Sequence, residues 1–126
     1  MNEVLLYEGG PGPEFGVRSL LDHEAYHLAT CADGASLLEG LMAQRPDAVV
    51  YVLRPDCPQD LAILQLLRRL APALPIVVLS NQASLDLRRI VQNLRPIYYA
   101  VAPVEATEIR AAVHSALARR STATGA

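Results

Sequence analysis

The sequence contains no lysine and no tryptophan, and all eleven of its basic residues are arginine. Its aromatic residues, five tyrosines and one phenylalanine, offer little surface for stacking on nucleic-acid bases. The formal net charge of -2 also differs from the basic balance typical of nucleic-acid-binding domains. We therefore expect no direct binding of nucleic acid by this domain.

Cysteine is scarce as well, because Cys31 and Cys57 are the only two. They are too few for a disulfide framework, and the sequence has no C-x-x-C or Cys/His ligand spacing. These absences predict two reduced thiols, no metal site and no cofactor. The N-terminus lacks a basic-then-apolar signal segment, and no apolar run approaches the ~20 residues of a membrane span. We expect a cytoplasmic protein that does not contact a membrane.

The length of 126 residues and the hydrophobic content of 52% suit one globular domain. We predict that this domain covers residues 1–120 and that residues 121–126 form a tail or the start of a linker. The charge is unevenly distributed: residues 1–67 hold ten acidic residues and three arginines, whereas residues 68–126 hold eight arginines and three acidic residues. An ordinary solvated surface explains this polarity more simply than a dedicated docking face does.

Five short apolar segments alternate with helical patterns. The central one, Ala48–Leu53, lies between Pro46 and Pro55 and lacks polar alternation, as is typical of a strand buried on both faces of a parallel sheet. The other predicted strands are 4–7, 26–31, 76–79 and 97–101. The predicted helices cover 14–25, a segment from Ser36, a segment from Asp60, a segment around 87–94, and 105–120. The segment from Ser36 carries Leu37, Leu38, Leu41 and Met42, and the segment from Asp60 carries Ile63, Leu67 and Leu70 on one stripe. In the last helix Ile109, Ala112, Val113, Ala116 and Leu117 are predicted to face inward.

This alternation predicts a three-layer (βα)5 α/β fold with a parallel five-stranded sheet, flavodoxin-like in its strand order 2-1-3-4-5. In such a sheet a ligand pocket lies beyond the carboxyl ends of the central strands. The residues expected to converge there are Glu8, Val52 to Asp56, Ser80, Ala102 and Pro103.

Several segments together resemble the response-regulator receiver domain over most of the chain, from Glu3 to Leu117. They are Glu24–Leu38 followed by Pro46–Val52, then Pro75–Ser80 and Tyr99–Pro103. Ser80 and Tyr99 match the family's switch pair. The resemblance implies a bacterial two-component or phosphorelay signalling domain in which an aspartate that ends the third strand accepts a phosphoryl group.

The positions that carry this chemistry differ from the family pattern. The phosphoacceptor position reads Val52, the acidic pair after the first strand reads Glu8-Gly9, and the lysine position reads Ala102, followed by Pro103. A single carboxylate is a poor set of ligands for Mg²⁺. A buried ammonium without its carboxylate would be costly, so the losses support one another. The resemblance therefore implies a pseudo-receiver that is not phosphorylated on aspartate.

Other interpretations compete at individual residues. Asp60 is better explained as a helix cap and Asp56 as a turn residue than as displaced phosphoacceptors. Ser36 can cap its helix in a capping box with Glu39. For Ser80 and Tyr99, simple strand-end and packing roles are more economical than a working switch.

We expect a regulatory module that is not an enzyme and that contacts a partner protein or an output domain, with homodimerisation as one form of that contact. The expected surface consists of the fourth predicted helix, the fifth strand and the last helix, and carries Arg88, Arg89, Arg95, Tyr98 and Arg110. The alternative is a small-ligand-binding or metal-dependent α/β enzyme that uses Glu8, Asp56 and Ser80.

Overall fold

The computed structural model describes residues 2–8, 26–54, 57–80, 84–101 and 104–125, with side chains up to residue 119. The helix predicted over residues 14–25 lies outside these ranges. The strands are β1 (Asn2–Glu8), β2 (Tyr26–Cys31), β3 (Ala48–Leu53), β4 (Ile76–Ser80) and β5 (Tyr98–Val101). The helices in the described ranges are α1 (Gly34–Gln44), α2 (Pro58–Leu70), α3 (Leu85–Asn93) and α4 (Ala106–Gly125).

The five strands form one parallel sheet in the order β2-β1-β3-β4-β5, which confirms the predicted fold. β3 lies at the centre, and all six of its residues are buried. Successive side chains of a strand point to opposite faces, so β3 contributes to two separate cores. Ala48, Val50 and Val52 pack on the α4 side, whereas Val49, Tyr51 and Leu53 pack on the side of α1, α2 and α3.

Helix α4 follows its predicted pattern most closely, because every residue predicted to face inward is buried. These residues are Ile109, Ala112, Val113, Ala116 and Leu117. The helix continues to Gly125 rather than ending near Arg120. The division of the chain at residue 120 stays a prediction.

The apolar stripes of the other helices are only partly buried. Met42 near the end of α1 is 80% exposed, and Leu70 at the end of α2 is 56% exposed. Both lie in the last turns of their helices, whereas Leu37, Leu64 and Leu67 lie further from those ends and are buried. The helical period identified the right side of each helix but could not tell how much of its length meets the sheet.

The start of α1 also differs from the prediction. Asp33 occupies the N-cap position, and its carboxylate accepts a hydrogen bond of 2.8 Å from the Ser36 backbone N–H. Ser36 therefore donates its backbone N–H to the N-cap residue and does not occupy the N-cap position itself. The predicted capping box of Ser36 and Glu39 is wrong. Asp33 satisfies one of the free N–H groups of the first turn.

Candidate functional site

The carboxyl ends of the central strands meet at one edge of the sheet, as the sequence predicts. Glu8 of β1 pairs in register with Val52 of β3, Val52 pairs with Leu79, and Ser80 of β4 pairs with Val101. Glu8, Val52 and Ser80 are thus neighbours at this edge. The other residues predicted here, Gly9, Asp56, Ala102 and Pro103, lie outside the described residues.

The position expected to bear a phosphoacceptor is apolar and closed. Val52 is 5% exposed and packs in the core between β3 and α4, with Val50 and Leu79 in the same cluster. Ser80, which ends β4, is also buried. A valine side chain offers neither a nucleophile nor a metal ligand, so position 52 itself supports no phosphoryl chemistry.

The opposite face of the same strand end holds an ion pair between a buried aspartate and a partly buried arginine. The Asp60 side chain is 1% exposed, and one of its oxygens lies 2.8 Å from Nε of Arg54. Asp60 also accepts hydrogen bonds from the Arg54 backbone N–H at 3.1 Å and from Nη2 at 3.0 Å. These three bonds hold Arg54, which directly follows β3, against the first turn of α2.

Two stacked tyrosines complete this cluster. Tyr7 and Tyr51 are register partners on β1 and β3, and their rings lie 4.4 Å apart, nearly parallel. The Tyr7 hydroxyl donates to the Asp60 carboxylate at 3.0 Å, and the Tyr51 hydroxyl donates to the Asp60 backbone carbonyl. We call Tyr7, Tyr51, Arg54 and Asp60 the tyrosine–aspartate cluster.

Proton affinities within the cluster follow from burial and from the ion pair. Burial by itself would raise the pKa of Asp60, but the hydrogen bonds from Arg54 and Tyr7 outweigh it and hold that pKa below its ordinary value. The hydrogen bond to Asp60 raises the pKa of Arg54. Burial, followed by the charge of Asp60, raises the pKa of Tyr7 to about 12. At neutral pH the pair is therefore charged and both tyrosines are protonated.

The predicted role of Asp60 as a helix cap is wrong. Helix α2 begins at Pro58, Cys57 occupies the N-cap position without a side-chain hydrogen bond, and Asp60 lies within the first turn. Its carboxylate points toward Arg54 and Tyr7 rather than toward the free N–H groups of the helix. A sequence signal existed, since two tyrosines interrupt otherwise aliphatic strands, and a buried tyrosine needs a partner for its hydroxyl.

Tyr99, the predicted switch residue, lies beside a cavity of about 400 Å³ that is also lined by Ser84, Leu85, Arg88 and Val101. Its hydroxyl oxygen is buried and makes no hydrogen bond with the part of the chain that the structure describes. Tyr99 belongs to the core on the α3 side, whereas Tyr98 packs toward α4. The side chains of these two adjacent tyrosines therefore pack on opposite faces of the sheet.

Of the residues predicted to form a contact surface, four lie on α3, β5 and α4, and the fifth, Arg95, lies at a cavity. Arg88 and Arg89 are exposed on α3, Arg110 is exposed on α4, and the Tyr98 hydroxyl donates to Glu108 at 3.0 Å. β5 is an edge strand and lies between these two helices in the chain. Arg95 instead lines a cavity at the amino end of β5.

No three metal-ligating side chains of the described ranges come together in a group that could hold an ion. Asp56 is not among the described residues, so the alternative site of Glu8, Asp56 and Ser80 stays a prediction. None of the described helices has the length and apolar content to cross a membrane.

Comparisons with known proteins agree with this fold. No family model matches the chain. The chain is 33% identical over 100 residues to the transcriptional regulatory protein PrrA of Mycobacterium bovis, an alignment that covers 79% of this chain and 43% of PrrA. It is 32% identical over 84 residues to the probable transcriptional regulatory protein TcrX of Mycobacterium tuberculosis, covering 66% of this chain and 36% of TcrX. The chain thus spans less than half the length of these relatives.

Among solved structures, the CheY-like response regulator receiver domain of Methanospirillum hungatei superposes with a TM-score of 0.80. That alignment covers 97% of this chain and 98% of the other, at 14% sequence identity, so it speaks for the fold alone. The sequence relatives and the shared strand order together place the chain among the response-regulator receiver domains. The predicted membership in the receiver-domain family is confirmed.

Proposed function

We propose that this receiver domain is a pseudo-receiver, which signals by protein contact without being phosphorylated on aspartate. The observation that carries the proposal is Val52, a buried apolar side chain at the carboxyl edge of the sheet, in register with Glu8. The absence of lysine from the entire sequence supports it, because no side chain of the chain can present an ammonium group to the phosphoryl oxygens.

The chemistry at this edge favours the same conclusion. Mg²⁺ requires several oxygen ligands in near-octahedral geometry, and phosphoryl transfer depends on such a metal to neutralise the developing charge. Val52 contributes no oxygen, and Asp60 is already engaged by Arg54 and Tyr7. Asp60 would have to give up these hydrogen bonds before it could act as a phosphoacceptor.

We infer that the working surface consists of α3, β5 and α4, with Arg88, Arg89, Tyr98 and Arg110 among its contacts. Exposed basic residues on this surface adjoin Leu85, which is 64% exposed, and Ile90, which is 37% exposed. Mixed apolar and arginine surfaces of this kind are typical of protein interfaces. The partner is an output domain, another protein or a second copy of this chain.

The first experiment asks whether the chain accepts a phosphoryl group. The purified chain is incubated with acetyl phosphate and Mg²⁺ and examined by intact-mass spectrometry, with an ordinary receiver treated in parallel as the positive control. We expect no added phosphoryl group and no stabilisation by Mg²⁺ with beryllofluoride in a thermal melt. A stoichiometric phosphoryl adduct would refute the proposal, and peptide mapping would then show whether Asp56 or Asp60 carries it.

A second experiment tests the surface. Sedimentation at low and high salt should show self-association, or binding of a supplied output domain, that weakens as salt rises. The charge reversals Arg88→Glu and Arg89→Glu should weaken it further, whereas Arg45→Glu, on an exposed arginine at the end of α1, should not. A monomer that is insensitive to salt and binds no partner would contradict this assignment of the surface.

A further inference from the structure

A cavity of about 260 Å³ lies at the amino ends of β4 and β5, at the edge opposite to Val52. Three arginines line it: Arg68 from α2, Arg95 from the turn before β5 and Arg119 from α4. The rest of its wall is largely apolar and includes Leu74, Pro75 and Ile97. The cavity thus combines positive charge with nonpolar surface.

Arg68 is held in place by the backbone of two turns. Its Nε donates to the Leu94 carbonyl at 2.7 Å, Nη1 donates to the Leu74 carbonyl at 2.7 Å, and Nη2 donates to the Arg95 carbonyl at 3.1 Å. Nη1 also contacts the carbonyls of Ala71 and Pro72 at 3.3 and 3.2 Å. These carbonyls occupy nearly all the donors of one guanidinium, so Arg68 acts mainly as a fixed charge that positions Arg95.

Arg95 has a left-handed backbone, with φ of 56°. It follows the C-cap residue of α3, where glycine is the usual choice because a Cβ is unfavourable there. The Arg68 bond to its carbonyl and its own N–H bond to Gln92 of 3.1 Å fix this conformation. Glycine would satisfy the backbone equally well, so the backbone alone does not require an arginine at this position.

The positive charge of this cavity has no protein counter-charge in the residues that the structure describes. None of the three arginines there makes an ion pair with a carboxylate. Burial, and then the charge of Arg95, lowers the pKa of Arg68. Like charges that converge in a partly apolar cavity repel one another, and a bound anion would remove that repulsion.

We propose that this cavity binds an organic phosphate, with the phosphate oxygens on the guanidinium groups of Arg95 and Arg119 and the organic group against Leu74, Pro75 and Ile97. Guanidinium groups present paired donors that match phosphate oxygens, and a phosphate dianion offers enough acceptors for two of them. A carboxylate carries half that charge and fewer oxygens.

Titration calorimetry at constant ionic strength tests the proposal with three probes: phenyl phosphate, inorganic phosphate and benzoate. We expect phenyl phosphate to bind most tightly, inorganic phosphate more weakly because it lacks the organic group, and benzoate most weakly because of its lower charge. Equal affinity for benzoate and phenyl phosphate would overturn the assignment to phosphates. If none of the three probes binds, the proposal that this cavity is a binding site is refuted.

Two variants locate the site, and a third controls for general effects. Arg95→Gly removes the guanidinium but keeps a residue that favours the left-handed backbone, and Arg119→Ala removes an exposed side chain. Each should weaken phenyl phosphate binding by about tenfold or more. Arg45→Gly is the matched control, since Arg45 is also exposed and has a left-handed backbone, with φ of 47°. An unchanged affinity in Arg95→Gly and Arg119→Ala, or an equal loss in Arg45→Gly, would refute the proposal.

Discussion

On the α4 face of the sheet, the carboxyl end of β3 presents Val52, in a cluster of aliphatic side chains. On the other face, the preceding residue, Tyr51, stacks on Tyr7 and bonds to Asp60, whose carboxylate pairs with Arg54. The ion pair between Arg54 and the buried Asp60 thus lies close to Val52 in the fold, although the Val52 side chain carries no polar atom. At this strand end the charge is held in one internal pair on one face, and the other face is apolar.

Removing the charge from the polar face should have the largest effect. Asp60→Ala leaves a partly buried Arg54 and the Tyr7 hydroxyl without their carboxylate partner, so we expect it to lower the free energy of unfolding by about 3 kcal/mol in urea titrations. Asp86→Ala is the matched control, because Asp86 also lies in the first turn of a helix but is exposed. Its effect should stay within about 0.5 kcal/mol. Similar losses in both variants would contradict the role assigned to the ion pair.

The same pair predicts an acid dependence. The pKa of Asp60 is depressed in the folded protein, so its contribution is present above its ordinary unfolded value and is lost as the pH falls through the folded value. Thermal melts of the native sequence should therefore lose stability on acidification. Asp60→Asn, which does not titrate, should lose less stability over the same range. An identical acid dependence of the two proteins would show that the pair does not control it.

Adding a charge to the apolar face should have the next largest effect. Val52→Asp places a carboxylate where the native side chain is 5% exposed, and we expect a loss of about 2 kcal/mol. Burial would raise the pKa of the new carboxyl, so the loss should grow as the pH rises above its unfolded value. Val52→Asn, of similar size but not titratable, should show a loss that does not vary with pH. A Val52→Asp variant as stable as the native protein would mean that the edge already accommodates charge.

The smallest effect concerns the tyrosine hydroxyl. Tyr7→Phe should cost about 1 kcal/mol, because one hydrogen bond to a buried carboxylate is lost. The pKa of Tyr7 is raised to about 12, so its contribution is full below its ordinary value and disappears as the pH rises toward 12. Ultraviolet titration should show that Tyr7→Phe removes one late tyrosinate step. Tyr98→Phe, whose hydroxyl bond is exposed, should change stability less; a larger change there would reverse the comparison.

Much of the fold could be predicted from local patterns. The β2 strand has the predicted bounds, the sheet order is as expected, and the buried stripe of α4 matches residue by residue. The strand bounds and the buried stripe depend on short-range periodicity, and the sheet order follows from the alternation of strands and helices and the handedness of their connections. Met42 and Leu70 continue the apolar patterns of their helices and yet are exposed, because the periodicity of a helix does not say where the sheet beneath it stops.

The candidate site divides in the same way. The valine at position 52 and the absence of lysine are visible in the sequence without any coordinates, and the resemblance to receivers is what made them worth noting. The role of Asp60 required coordinates, because its partners lie as far away as Tyr7, 53 residues earlier. The side chain of an aspartate near the start of a helix can cap that helix or bond to other groups. Residues that are distant in the sequence determine which of the two occurs.

The sequence by itself therefore determined the layers of this domain, the valine at position 52 and the absence of lysine. Only the tertiary structure decided where the remaining charges lie. It gathered Arg68, Arg95 and Arg119 from three separate segments around one cavity, and it buried Asp60 against Arg54. Periodicity is a local property of a chain, whereas the energy of a charge depends on every group that folding brings near it.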